Sequence, residues 1–211
     1  MTAIYFLILA VLVVAGFAYG RSRASGVASG SRLHSLPAYH GFFTASAALF
    51  PMLAIIAIGT PLAAAYVQSS ALSGYDPAVI ADVLQRSNIL RDIEAIAAGQ
   101  FTGTPTPLLE QAALALASAR TFTSWLLLVL GAVAGLGGIY YASRQITAGF
   151  RARNNVERIT SIVLLACSAV AVLTTIGIVF SVLFETLRFF SKVSPVDFLF
   201  DDQWSPQTAI R

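Results

Sequence analysis

Four stretches of this chain contain no Asp, Glu, Lys or Arg: Met1 to Gly20, Gly41 to Tyr75, Thr121 to Ser143 and Ile159 to Phe184. A helix rises ~1.5 Å per residue, so crossing a hydrocarbon core of ~30 Å takes about 20 apolar residues. Each stretch reaches that length. Lipid offers the backbone no hydrogen-bond partner, which restricts spanning segments to helices and closed barrels. The alternating ten-residue strands of a barrel are not seen. The fold class is therefore all-α: a helical integral membrane protein with four transmembrane helices, predicted at about 2–20, 42–67, 121–142 and 159–184, and a partly helical extracytoplasmic loop.

The composition fits. Of 211 residues, 57% are hydrophobic and 11% charged, and the mean hydropathy is +0.77, far from a soluble domain. The net charge of +3 is spread over short connections beside apolar spans, which points to a bilayer and to no nucleic acid. The first stretch is read as a retained helix and not a secretory signal, because its basic residues, Arg21 and Arg23, follow the apolar run.

The charges also orient the chain. The connection 21–40 holds Arg21, Arg23 and Arg32 and no acid. The connection after Ser143 sets Arg144, Arg151, Arg153 and Arg158 against Glu157 alone, whereas the loop 68–120 and the tail are mixed or acidic. Arg-rich connections stay cytoplasmic. The N-terminus, the loop 68–120 and the C-terminal segment are then predicted to be periplasmic, and four alternating spans satisfy this without conflict.

Within the loop, Asp76–Pro77 reads as a helix start, with Val79, Val83, Leu90, Ile93 and Ala97 recurring at helical spacing and Asp82 one turn from Arg86. Thr106–Pro107 opens a second short helix with a Leu109, Ala112, Leu116 stripe. The expectation is an amphipathic helical hairpin on the bilayer surface or on neighbouring spans.

Other features have plain readings. Gly131, Gly135 and Gly138 share one face and let another helix approach. Pro51 and Pro61 bend the second span to fit its neighbours, since no charge marks a broken-helix ion site. His34 and His40 lack carboxylate or thiolate company and are read as solvated, with no metal. Single Cys167 is read as a small packing residue. Ser168, Thr174 and Thr175 return hydrogen bonds to their own helix. Glu185 and Arg188 form an interfacial pair, and Phe189, Phe190, Phe198, Phe200 and Trp204 an aromatic outer segment. No phosphate-cradling loop, nucleophile elbow or His/Cys cluster is found, so no catalytic, metal-binding or cofactor-binding residue is assigned and no enzyme activity is expected.

The run from Arg153 to Arg211 resembles the opening of the phosphate-specific ABC-transporter permease family. The resemblance rests on the basic "ERI" entry, a single span exiting outward, and a P-x-x-FLF-x-x-x-W-x-P stretch at Pro195, Phe198, Leu199, Phe200, Trp204 and Pro206. It implies that residues 150–211 begin the permease and that residues 1–149 are an N-terminal membrane extension. It further implies a second permease subunit, cytoplasmic ATPase subunits and a periplasmic phosphate-binding protein as partners in a bacterial inner membrane. Such permeases present an "EAA…G" loop to the ATPase. The nearest string here, Glu94 to Gly99, falls in the loop predicted outside, so the chain reads as the N-terminal part of a longer permease, unable to transport alone. The alternative is a self-contained four-helix membrane protein whose loop 68–120 senses a ligand or holds a partner.

Overall fold

The computed structural model describes residues 2–28 and 34–200. Arg32, Trp204, Pro206 and the rest of the tail from 201 lie outside them. The described residues are helical: α1 (Thr2–Ala28), α2 (Pro37–Leu72), α3 (Pro77–Ala81), α4 (Val83–Ala97), α5 (Pro107–Arg144), α6 (Ala152–Phe190) and α7 (Pro195–Phe200). Four of them, α1, α2, α5 and α6, are long and apolar enough to cross a membrane. All four extend past the predicted spans; in α1, α5 and α6 charged residues end the lipid-compatible stretch and not the helix.

The chain divides into two compact units, one up to Val156 and one from Glu157. In the first, α2 packs along both α1 and α5. Small residues make this close approach possible. Gly16, Gly20 and Ala24 fall one turn apart on α1 and are buried, and a Cβ on Gly20 would run into the Thr44 hydroxyl and the His40 carbonyl of α2. This i, i+4 ladder is a small-residue face of the kind that lets helices approach closely.

Those α5 glycines do take neighbours. Gly131 faces the Tyr5 ring of α1, Gly135 faces Met52 of α2, and Gly138 faces the backbone carbonyl of Ala47. Tyr5 completes the junction by donating its hydroxyl to the Met52 carbonyl at 2.7 Å. One α1 side chain thus bridges α2 while sitting in the space that Gly131 leaves. The helix α2 continues through both Pro51 and Pro61.

The loop differs from the expected hairpin. Its second arm is no separate helix: α5 runs unbroken for 38 residues from Pro107 through the third span. Glu110 and Arg120 are good helix formers, so their charges end the apolar run without ending the helix. The first arm is broken at Asp82, whose backbone turns extended (φ −76°, ψ 114°) and whose carboxylate accepts from Leu84 N at 2.9 Å. Asp82 therefore caps α4 and does not pair with Arg86. The predicted caps Asp76 and Thr106 hold, accepting from Ala78 N at 2.9 Å and Leu109 N at 3.4 Å.

The apolar stripe is also shifted. Ile93 is buried against α2 and α5 with Ile89, Leu90 and Ile96 beside it, whereas Val83 and Ala97 are exposed.

In the second unit, α6 continues to Phe190, and a short turn leads to α7. Phe198 of α7 stands edge-on to Phe189 and Phe190, with ring centroids 5.2 and 5.8 Å apart. Thr174 and Thr175 donate to Val170 O and Ala171 O, as expected of hydroxyls within a span. Two expectations fail here. Cys167 is exposed on α6 and not packed, and among the described residues Glu185 and Arg188 make no ion pair.

Candidate functional site

Between the loop and the spans, the first unit holds a partly open cavity of about 610 Å³. Its walls follow helical periodicity. Thr60, Ala63, Ala64 and Val67 line one face of α2, and Leu116, Arg120, Thr123, Ser124 and Leu127 line one face of α5. Short side chains on α2 leave room where α4 closes over the top with Ser87, Leu90, Arg91 and Glu94. Tyr5 of α1 reaches the inner end, held there by its bond to Met52.

The charges gather at the loop end. Arg120 donates to Glu94 at 2.6 Å, tying α5 to α4 across the mouth. Both side chains are about half exposed, so the pair contributes only ~0–1 kcal/mol and serves mainly to fix the mouth's geometry. Arg91 is more exposed and lies 3.8 Å from Asp92, a loose pairing between sequence neighbours. Beside the mouth, Arg86 donates to Gln68 at 3.4 Å. The wall hydroxyl of Thr123 is satisfied by Ala119 O at 2.8 Å. The arrangement suits holding a ligand with a charged head and an apolar body.

The string Glu94–Gly99 has a structural explanation. Gly99 adopts φ +69°, its N–H reaches Ile96 O at 3.0 Å, and Gln100 N reaches Ala95 O at 2.8 Å. This is the paired bonding that ends a helix at a left-handed glycine. The alanines finish α4, the glycine stops it, and Glu94 is engaged by Arg120.

Near this end Tyr75 packs on the core, with its hydroxyl buried and unbonded by any described group. Burial, and secondarily the Asp92 carboxylate, pushes its phenol above the ordinary value.

The opposite end of the first unit holds the two Arg-rich connections. His34 N donates to Ala148 O at 3.1 Å, and the Ser35 hydroxyl accepts from Arg153 N at 3.3 Å, capping the first turn of α6 from outside the helix. Arg144 lies over the Tyr140 ring at 4.9 Å. The expectation of two solvated histidines holds for His34 and fails for His40. His40 is fully buried, with its ring 5.8 Å from that of Phe150 and no described group bonded to either nitrogen. Local sequence carries no sign of this burial, since Phe150 is brought over His40 by a connection more than a hundred residues away.

The family model described as a phosphate ATP-binding cassette transporter matches residues 6–174. The chain belongs to that family. The match takes in α1 to α5 and the first half of α6, so the family relation covers the helices that build the cavity and reaches into the fourth span. No curated protein and no solved structure matches the chain. As a phosphate ABC transporter family member with four membrane-capable helices, the chain is a membrane protein related to transport.

Proposed function

We propose that the chain is the N-terminal, membrane-spanning segment of a permease subunit in an ATP-driven phosphate importer of the bacterial inner membrane. The observation that carries this reading is the family match across residues 6–174. In it, residues 1–149 form a membrane extension and residues 150–211 open the permease, with α6 as its first span. ATP hydrolysis belongs to separate cytoplasmic ATPase subunits. A periplasmic binding protein delivers phosphate to a pathway formed with a second permease subunit.

Two features support the layout. Both Arg-rich connections meet at one end of the first unit through the His34–Ala148 and Ser35–Arg153 contacts, as a shared cytoplasmic side requires. α6 is long and apolar enough to cross a membrane, and its Ala166–Ala169 face is assigned to packing on other permease helices.

Phosphate uptake by cells whose importer lacks residues 1–149 tests the role of the extension. Reduced uptake at normal membrane levels is expected. Unchanged uptake would remove any transport role for it. Thiol labelling of intact cells carrying Arg151→Cys should give protection, and Ser87→Cys should give modification; the reverse pattern would invert the orientation.

A further inference from the structure

We propose that the cavity between α1, α2, α4 and α5 binds one anionic phospholipid, its phosphate at Arg91 and Arg120 and an acyl chain along Ile56, Ala64, Leu127 and Leu128. The inference rests on the membrane reading of the fold and not on the transport reading.

The first argument is polarity along the cavity. On α5 the lining carries Leu116 and Arg120 at the mouth, Thr123 and Ser124 in the middle, and Leu127 and Leu128 about 11 Å deeper along the helix than Arg120, where the hydroxyls of Thr2, Tyr5 and Thr60 are its polar groups. On α2 it runs from Gln68 down to Ile56, about 18 Å. A free phosphate ion would satisfy only the mouth and leave the apolar walls facing water. A phospholipid matches both ends, with cationic side chains at the interfacial level and hydrocarbon below.

The second argument is charge. The lining contains Arg91, Arg120 and Glu94, and its two guanidiniums can face a phosphodiester bearing one negative charge. Arg120 already engages Glu94, and Arg91 is the less committed guanidinium, 3.8 Å from Asp92. The third is shape. The cavity is partly open, so a lipid can enter without unfolding the mouth.

The test is native mass spectrometry of the chain in mild detergent, titrated with dioleoyl phosphatidylglycerol, dioleoyl phosphatidylcholine or inorganic phosphate. One phosphatidylglycerol should be retained in preference to phosphatidylcholine, and inorganic phosphate should not displace it. Arg91→Gln should weaken retention roughly fivefold, as expected for loss of one partly exposed charged contact. Ala64→Trp, at an exposed position that fills the groove, should abolish retention with the helix content unchanged. Glu94→Gln frees Arg120 and should tighten retention, a gain that misfolding cannot imitate. Equal retention of both lipids, retention that survives Ala64→Trp, no gain in Glu94→Gln, or displacement by inorganic phosphate would overturn the proposal.

Discussion

Gly138 of α5 lies against the backbone carbonyl of Ala47, four residues before Pro51 in α2. Pro51 has no N–H, so that carbonyl lacks its usual helical donor. The glycine brings its Cα up to the freed oxygen, where a weak C–H···O contact offsets part of the loss. Proline and glycine thus form one device split between two helices: the first exposes an acceptor and the second makes room to cover it.

Gly138→Ala should destabilise the first unit by roughly 1–3 kcal/mol, because the added methyl meets backbone, which cannot rotate away. Gly137 is the matched control. A Cβ there meets nothing within 4 Å, so Gly137→Ala should be neutral or stabilising by up to about 1 kcal/mol through helix propensity. Melting of both variants in one detergent decides it, and equal melting temperatures would refute the close approach.

Tyr5→Phe should cost about 0.6 kcal/mol, the usual size of a hydrogen bond between helices in a membrane. The ring stays, so the space at Gly131 stays filled. A double-mutant cycle with Gly131→Ala should show coupling, since the Tyr5 hydroxyl and ring lie where that methyl would go.

His40→Phe should raise the melting temperature at neutral pH, by the equivalent of about 1 kcal/mol. It keeps a ring beside Phe150 and removes two buried nitrogens that no described group bonds. A fall in melting temperature would show that the imidazole has a bonding role.

Tyr75 should ionise late. Its folded value is raised, so above the ordinary phenol value near ~10 the unfolded chain releases this proton first and binds fewer protons than the native one. Stability from the neutral phenol is complete below that value and is lost as pH rises through the folded value. Phenolate absorbance titration of Tyr75→Phe against the parent should lack one late-ionising group; a difference centred at or below the ordinary value would contradict the burial.

Much of this architecture was legible in the chain. Freedom from charge over about 20 residues located all four membrane-capable helices, and Asp76 and Thr106 were readable as caps because short oxygen side chains before Pro satisfy first-turn donors. The start of α5 was not legible, since Glu110 and Arg120 stop an apolar run without stopping a helix. Asp82 was misread for a related reason. A carboxylate one turn before an arginine suits either a pair or a cap, and only the backbone angle at Asp82 separates them. The cavity was invisible at first because its walls come from four helices, and the spacing of Thr60, Ala63, Ala64 and Val67 is that of any packing face. His40 was missed because its cover, Phe150, is distant in sequence.

The unbroken course of α5 has a mechanical consequence. A helix of 38 residues is a rod of about 57 Å, nearly twice the hydrocarbon thickness. Arg120, about a third of the way along it, pairs with Glu94 of α4. A load that tilts α4 therefore reaches α5 well inside the rod, about 36 Å from the Arg144 terminus where the connection to α6 begins.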